Sequence, residues 1–267
     1  MAMVKREKAN YMIQSVSHAI DVLEELCQAG GEVGVTELSK RLKLHKNNVF
    51  RLLATLELRG YVEQNAQTED YRLGVKSLEL GQSYLMQNSL VQRATPVLRV
   101  LSADIGETAS LAVLQNGIVQ YPISIESKRP VKVSPRVGIS FNAKESVVGR
   151  LLTAQLPDSV LAEILVGNSP QDAAIKNQLN ELRSNGQIVD RGAVEADVVT
   201  ICQVVRGNGG AVIGALEVLA PQYRAKIESI VPTIEEAAEK LSASLGGAKG
   251  SLARSIDREV VTAGQAA

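Results

Sequence analysis

The sequence has no tryptophan and few other aromatic residues, with six tyrosines and two phenylalanines among its 267 residues. Proteins that bind RNA or single-stranded DNA stack the bases on aromatic side chains. The shortage of aromatic side chains therefore argues against that class, and it leaves duplex DNA as the nucleic acid that this chain would bind.

Cysteine and histidine are also scarce. The cysteines, Cys27 and Cys202, are too few and too far apart for a disulfide framework or a cysteine-based metal site. The histidines, His18 and His45, precede residues 108–246, which therefore have no imidazole for a general base, a zinc ligand or a Ser–His–Asp triad. A carboxylate or lysine mechanism stays open, but we predict a protein that is not an enzyme and binds no metal or cofactor.

No apolar run approaches the roughly 18–20 residues that cross a membrane. The basic start, "MAMVKREKAN", leads into no apolar segment with a cleavage site, so nothing in it predicts export. We therefore expect a reduced, cytoplasmic protein without a membrane partner. Its 267 residues are enough for two domains.

The formal net charge is zero, so the molecule as a whole does not attract nucleic acid. One stretch departs from this balance, because residues 40–51 contain no acid and hold Lys40, Arg41, Lys43, His45, Lys46 and Arg51. A patch of one sign on a neutral chain is typical of a binding surface. A solvated helix face is the alternative interpretation.

Apolar residues at helical spacing predict three helices near the start of the chain. The first covers residues 15–29, with an inward side formed by Val16, Ile20, Leu23 and Leu26. The second begins at Thr36, a residue type that caps helix N-termini well. The third covers about residues 47–59 and ends at Gly60, since glycine is favoured just after a helix.

Two short strands, "YVEQ" and "DYRLG", follow around a polar turn at residues 65–69. Helices followed by a β-hairpin in this order form a winged helix-turn-helix, a DNA-binding fold. Each element alone is a weak signal, whereas the order combined with the cationic stretch is specific. The sequence therefore predicts a DNA-binding domain at residues 15–76, preceded by a flexible N-terminus at 1–14.

Residues 77–90 predict a linker helix, and residues 91–105 predict another helix with Pro96 near its first turn. The pattern then changes to alternating strands and helices. A hairpin with its turn at Asn116-Gly117 comes first, and "KVSPRVGIS" predicts one more strand.

Further helices are predicted in "KESVVGRLLTAQL", "DSVLAEIL" and "DAAIKNQLNELRSNG", followed by a long hairpin with a glycine-rich turn at 207–210. A last helix covers residues 224–245. These elements predict a mixed α/β domain at residues 91–246. The tail at 247–267 lacks periodicity, and we expect it to be disordered.

Five stretches together, "SVSHAIDVLEEL", "RLLATLELRGYVEQ", "YRLG", "VGRLLTAQL" and "GALEVLAPQYR", resemble the IclR family of bacterial transcription regulators. The similarity covers about residues 15–246. It implies an α+β protein with a winged helix-turn-helix, a linker helix and a GAF/PAS-like effector-binding domain. It also implies promoter duplex DNA and a small-molecule effector as partners, and assembly into a homodimer or a dimer of dimers.

In a winged helix-turn-helix the third helix enters the major groove. Its apolar side, Val49, Leu52, Leu53 and Leu56, would pack on the domain and leave the polar side for DNA. Asparagine can bind adenine, and arginine can bind guanine or phosphate. Residues of the second helix and the hairpin would contact phosphates. The predicted DNA-binding residues are Thr36, Lys40, His45, Lys46, Asn47, Asn48, Arg51 and Arg72.

The resemblance also implies where an effector would bind. The family's pocket is formed by a loop, here residues 142–149, and by one aspartate, one cysteine and two serines. The aspartate matches Asp190, the cysteine position falls on Thr200, and the serines are replaced. The predicted effector-binding residues are Ser146, Val147, Val148, Asp190, Thr200, Glu217 and Leu219.

Glu217 departs from the family pattern, because it puts an anionic acceptor where the family often has a neutral donor. Repulsion would disfavour a small carboxylate effector. A neutral, aromatic or cationic effector, or a Glu217 paired with Arg150 or another cation, would be consistent with this change. A protein that no effector controls and a Glu217 that simply lies on the surface are the remaining alternatives.

Two functions follow from these observations. The first is a ligand-responsive transcription factor. The second is a small-molecule sensor or enzyme whose winged helix contacts only proteins. The cationic stretch at residues 40–51 favours the first function, because contacts with proteins would not require it.

Overall fold

The computed structural model describes residues 11–164 and 180–247, which form two compact units divided between Gln87 and Asn88. Three predicted segments lie wholly or partly outside the described residues. They are residues 1–10 of the flexible N-terminus predicted at 1–14, most of the helix predicted in "DAAIKNQLNELRSNG", and the tail from residue 248. Residues 180–185 of that predicted helix are helical.

The N-terminal unit consists of helices and one β-hairpin, in the order that the sequence predicts. Its elements are α1 (Gln14–Ala29), α2 (Val35–Leu42), α3 (Lys46–Leu58), β1 (Val62–Gln64), β2 (Tyr71–Leu73) and α4 (Val75–Gln87). The strands are antiparallel, with Glu63 opposite Arg72. This arrangement is a winged helix-turn-helix followed by a helix, α4, that covers residues 77–87 of the linker helix predicted at 77–90.

One apolar core holds α1, α2, α3 and the hairpin together. Its buried side chains are Val22, Leu26, Val33, Leu38, Val49, Leu53, Leu56, Val62 and Tyr71. The predicted inward side of α1 is partly wrong, because Val16 is 53% exposed and Ile20 is 49% exposed. Both the predicted stripe and the observed one satisfy helical spacing, and only the packing against α2 and α3 distinguishes them.

The predicted cap of α2 is also wrong. Val33 forms an antiparallel bridge with Tyr71, which fixes where the chain enters the helix. The next residue, Gly34, accepts the first helical hydrogen bond from the Leu38 amide at 3.1 Å. Thr36 therefore lies inside the first turn of α2, where its side chain is exposed and caps nothing.

The C-terminal unit is a six-stranded antiparallel sheet with helices on both faces. Its elements are α5 (Ser89–Ile105), β3 (Thr108–Gln115), β4 (Ile118–Ile125), β5 (Ser140–Asn142), α6 (Val147–Ala154), α7 (Asp158–Ile164), β6 (Gln187–Arg191), β7 (Val198–Arg206), β8 (Val212–Pro221) and α8 (Ile227–Ser244). The strand order is β5-β4-β3-β8-β7-β6. This is the predicted mixed α/β domain.

The two faces of the sheet form two separate apolar cores. On one face, α5 and α8 cover side chains such as Leu111, Ile201 and Val218. On the other face, α6 packs with Tyr121 and Cys202. Side chains therefore alternate between the two cores along each central strand.

In the C-terminal unit the hairpins β3–β4 and β7–β8 were predicted correctly, whereas one predicted strand is absent from residues 131–139. Asn116 and Gly117 have φ angles of 52° and 79°, the left-handed values of a tight hairpin turn. The segment 131–139 forms no strand, because Pro135 has no amide hydrogen to donate and Gly138 turns the chain at φ 79°. A short strand begins only at Ser140.

The start of α5 differs from the prediction as well. The side chain of Asn88 accepts hydrogen bonds from the amides of Leu90 and Val91, at 3.1 and 3.2 Å. This cap starts the helix at Ser89, so Pro96 lies in the helix interior rather than near the first turn. The strand β6 was not predicted at all.

Gly149 gives a test of the packing at the start of α6. A Cβ atom there would lie 2.3 Å from the Ala143 carbonyl oxygen and 2.4 Å from the Ser146 hydroxyl oxygen. We expect Gly149→Ala to lower the free energy of unfolding of the C-terminal unit by about 1–3 kcal/mol. Urea unfolding measures this change. The matched control is Gly81→Ala in α4, where the added methyl meets nothing within 4 Å and helix propensity improves. Equal effects of the two substitutions would contradict this packing.

Candidate functional sites

The polar side of the first two turns of α3, together with the residue before the helix, lies on the surface of the N-terminal unit. His45, Lys46, Asn47, Asn48 and Arg51 are all exposed. Among the described residues, none of these side chains makes a hydrogen bond or an ion pair. Val49 and Leu53, on the opposite side of the helix, are fully buried. The helix is thus held by its apolar side while its polar side stays available for a partner.

The other cations of this region fall into two groups. Arg41 is paired with Glu25 and Glu37, both at 2.9 Å. Arg72, in the hairpin, is paired with Glu32 at 3.1 Å and Glu63 at 3.4 Å. Lys40 and Lys43 are exposed and have no such partner among the described residues. Fewer cationic side chains are therefore free of ion pairs than the sequence predicts.

The predicted effector residues come together in the C-terminal unit. Thr200 lies opposite Asp190 on β6 and opposite Leu219 on β8. Cys202, two residues further along β7, lies opposite Glu217. Side chains two residues apart on a strand lie on the same face of the sheet. The five residues just named therefore lie on the face that α6 covers. The register thus places Asp190, Thr200, Glu217 and Leu219 on one surface.

The start of α6 lies over the same face. Ser146 caps the helix, because its hydroxyl oxygen accepts a hydrogen bond from the Gly149 amide at 3.1 Å. Val147 and Val148 are buried in the core that includes Cys202. Asp190 has a structural role of its own, since its carboxylate accepts hydrogen bonds from the amides of Ala193 and Val194.

Glu217 is fully buried, so its predicted alternative position on the surface is wrong. Its Oε1 atom accepts a hydrogen bond from the Tyr121 hydroxyl at 3.1 Å and lies 3.7 Å from the Arg136 guanidinium. The Cys202 sulfur is 4.0 Å from the same oxygen. The Oε2 atom is buried, and no group among the described residues donates a hydrogen bond to it.

Arg136, rather than Arg150, is the cation beside Glu217. Arg150 is exposed at the start of α6 and has no such contact. Arg136 comes from the segment that was predicted to be a strand, and it is almost fully buried. It donates a hydrogen bond to the Tyr121 hydroxyl at 3.3 Å and pairs with Glu195 in the loop before β7. A charged network thus runs from the buried Glu217 to a half-exposed carboxylate.

Burial determines the protonation of this cluster. It raises the pKa of Glu217 to about 7, although the Arg136 cation and the Tyr121 hydrogen bond act in the opposite direction. Burial also raises the pKa of the Cys202 thiol and of the Tyr121 hydroxyl. A thiol with a raised pKa is a poor nucleophile, so Cys202 is a packed neutral group.

Several residues near Glu217 were not predicted from the sequence. Ser110, directly opposite Glu217 on β3, shares a hydrogen bond of 2.6 Å with Ser124 on β4. Strand alternation could have indicated Ser110 and Cys202 once the strands were paired. Nothing in the sequence around Arg136 indicates that this side chain turns inward.

The fold and these surfaces define a two-part protein that combines a helix-turn-helix with a mixed α/β domain. Residues 15–66 match the family profile described as the IclR helix-turn-helix domain. Residues 82–243 match the profile of the bacterial transcriptional regulator IclR C-terminal domain. The chain therefore belongs to the IclR family of transcription regulators, which bind DNA and small-molecule effectors, and the predicted resemblance is confirmed.

Individual relatives agree with this assignment. The transcriptional regulator KdgR of Escherichia coli is 28% identical over 258 residues, which cover 92% of this chain and 98% of KdgR. An IclR regulator structure from Alicyclobacillus acidocaldarius has a TM-score of 0.77 at 26% identity and covers 87% of this chain and 99% of its own. An IclR homologue from Microbacterium hydrocarbonoxydans, complexed with 4-hydroxybenzoate, has a TM-score of 0.76 at 23% identity, with 88% and 100% covered.

These relatives are transcription regulators rather than enzymes. Within residues 11–164 and 180–247, no helix is both long and apolar enough to span a membrane. No group of acidic, cysteine and histidine side chains in the same ranges could hold a metal ion.

The protonation of Glu217 gives a pH test. Its pKa is about 7 in the folded protein and near its ordinary value of 4.5 in the unfolded chain. Between these values the folded protein binds more protons, so stability falls as the pH rises toward and through 7. Glu217→Gln stays neutral, and it should gain roughly 1–3 kcal/mol over the wild type on going from pH 5.5 to pH 8. Urea unfolding at both pH values measures the gain.

The control for this substitution is Glu239→Gln on α8, which removes an exposed carboxylate and should show no such gain. If the difference in unfolding free energy between Glu217→Gln and the wild type is the same at pH 5.5 and pH 8, the buried carboxyl is not neutralised on folding.

Proposed function

We propose that this regulator binds promoter DNA in the cytoplasm as a homodimer or a dimer of dimers, with α3 of each copy in a major groove. We further propose that an effector bound beside Glu217 changes its affinity for DNA. The observation that carries the DNA proposal is the first turn of α3, where exposed cationic and amide side chains have no partner among the described residues.

The proposed contacts follow from the chemistry of each side chain. Asn47 and Asn48 offer amides that suit base edges, and Arg51 suits a guanine or a phosphate. Phosphate contacts fit the remaining exposed residues of the predicted set, which are Thr36, Lys40, His45 and Lys46. Arg72 contributes least, because binding a phosphate would require it to leave Glu32 and Glu63.

The effector proposal rests on the face that carries Glu217. The other predicted effector residues lie on this face or at the start of α6 above it; they are Ser146, Val147, Val148, Asp190, Thr200 and Leu219. Arg136 already bridges Glu217 and Glu195. An anionic effector would have to compete with those carboxylates for Arg136. A neutral or cationic effector with an O–H or N–H group can instead donate to the Oε2 atom of Glu217.

Control of DNA binding follows if the effector favours one arrangement of the dimer. Two α3 helices bind two half-sites only when their separation matches the DNA, about one helical turn or a multiple of it. An effector that binds one arrangement better than another shifts the population of competent dimers. The sign of this shift sets repression or activation.

Arg51→Ala tests the DNA surface. We expect its affinity for duplex DNA from the flanks of its own gene to fall about 5- to 100-fold, since good arginine contacts contribute about 1–3 kcal/mol. If Arg51 binds a phosphate, the slope of log K against log salt also becomes shallower by about one. Gel-shift titration at several salt concentrations measures both. The matched control is Arg99→Ala, which removes an equal charge from an exposed site on α5.

An unchanged affinity and salt slope in Arg51→Ala would remove this residue from the interface. Failure of the wild-type protein to bind any neighbouring promoter would favour the second function, in which the winged helix contacts proteins.

A thermal-shift screen of the full chain against metabolites tests the effector proposal. Ligands that bind the folded state raise its melting temperature. We expect the compounds that do so to carry an O–H or N–H donor and no carboxylate, and we expect Glu217→Leu to abolish their effect. A set of hits made of simple carboxylates would contradict the proposal.

A further inference from the structure

Phe50 is an exposed aromatic residue on the DNA-facing helix. Its side chain is 52% exposed, although its neighbour Val49 is fully buried. It belongs to none of the apolar cores of the described residues, whereas the other phenylalanine, Phe141, packs edge-on against Tyr121. Water therefore covers about half of a large apolar ring whose neighbours on the same side of the helix are polar.

The position of Phe50 relates it to the proposed base contacts. It follows Asn47 by three residues and Lys46 by four, so the three side chains share one face of α3. These three residues form one wall of an open cleft between the starts of α2 and α3 and the hairpin turn. A group that enters the cleft and meets the Asn47 amide would therefore also meet the ring of Phe50.

The opposite walls of the cleft carry three carboxylates, which would repel a phosphate that entered between them. They belong to Glu69 and Asp70 in the hairpin turn and to Glu37 on α2. Glu37 is paired with Arg41, whereas Glu69 and Asp70 have no ion-pair partner among the described residues. Phe50 itself carries no charge for a phosphate. A base edge is the part of DNA that suits an amide and an apolar ring side by side.

We propose that Phe50 contacts the C5-methyl group of a thymine next to the base that Asn47 contacts. The thymine methyl is the one apolar group on the base edges of the major groove, and phenylalanine is among the side chains that contact it. This inference rests on the proposed function, because it requires α3 to enter the groove. It assigns Phe50 as a residue that determines operator sequence.

The test compares thymine with deoxyuridine, which lacks only the methyl group. An operator is first selected from random duplex DNA with the wild-type full-length protein, and each thymine is then replaced in turn. We expect replacement at one position per half-site to lower the affinity for the duplex about fourfold, which is the effect of burying one methyl group. Phe50→Ala should bind the thymine and deoxyuridine duplexes equally well at that position. Phe50→Leu, which keeps an apolar side chain, should retain part of the difference.

Leu58→Ala is the matched control, since Leu58 is 86% exposed at the far end of the same helix. It should keep the full preference for thymine. The deoxyuridine scan of the wild type needs no variant, so it tests the inference even if a substitution impairs folding.

The outcomes separate the inference from the proposed function. If the wild type selects no duplex, both fail. If it selects a duplex but no thymine methyl matters, or if Phe50→Ala keeps the preference, only the inference about Phe50 is overturned. The ring would then be a surface for a protein partner.

Discussion

The register of the central strands determines which side chains of the C-terminal unit can meet a ligand. β8 pairs with β3 on one side and with β7 on the other, so its register is fixed twice. Alternation then sends Val218 into the core under α5 and α8, and it sends Glu217 to the face under α6. A slip by one residue would exchange the two side chains and bury a carboxylate among aliphatic groups. The position of Glu217 is therefore a consequence of strand pairing rather than of local sequence.

Stability alone does not explain a glutamate at this position. Its Oε2 atom is buried and lacks a donor among the described residues, which costs free energy in any buried polar group. The partial attraction to Arg136 is divided, because that guanidinium also pairs with Glu195. Apolar replacements of buried ion pairs are often neutral or stabilising. Uptake of a proton lowers this cost, in agreement with the pKa that burial raises to about 7.

Local signals in the sequence predicted the parts of the structure that depend on neighbouring residues. The buried side of α3 follows from the spacing of Val49 and Leu53, and the first hairpin of the sheet follows from Asn116-Gly117. One error occurred where two interpretations fit equally well locally. Val16 lies on a stripe as periodic as the one that packs, and distant contacts chose between them. Arg136 could not be predicted, since only tertiary contacts turn it inward.

Both candidate sites contain polar groups that have no hydrogen-bond partner among the described residues. The sites differ in whether water can reach those groups. On α3, water can reach Asn47, Asn48 and Arg51, so the fold loses little by leaving them unpaired. Arg41 in the cationic stretch and Arg72 in the hairpin are instead paired with carboxylates. Counting cations in the sequence therefore overstates the positive charge that is free to bind a partner. At Glu217 solvent has no access, so the unpaired Oε2 atom costs free energy in the folded protein. The proposed effector would recover this cost by supplying the missing donor.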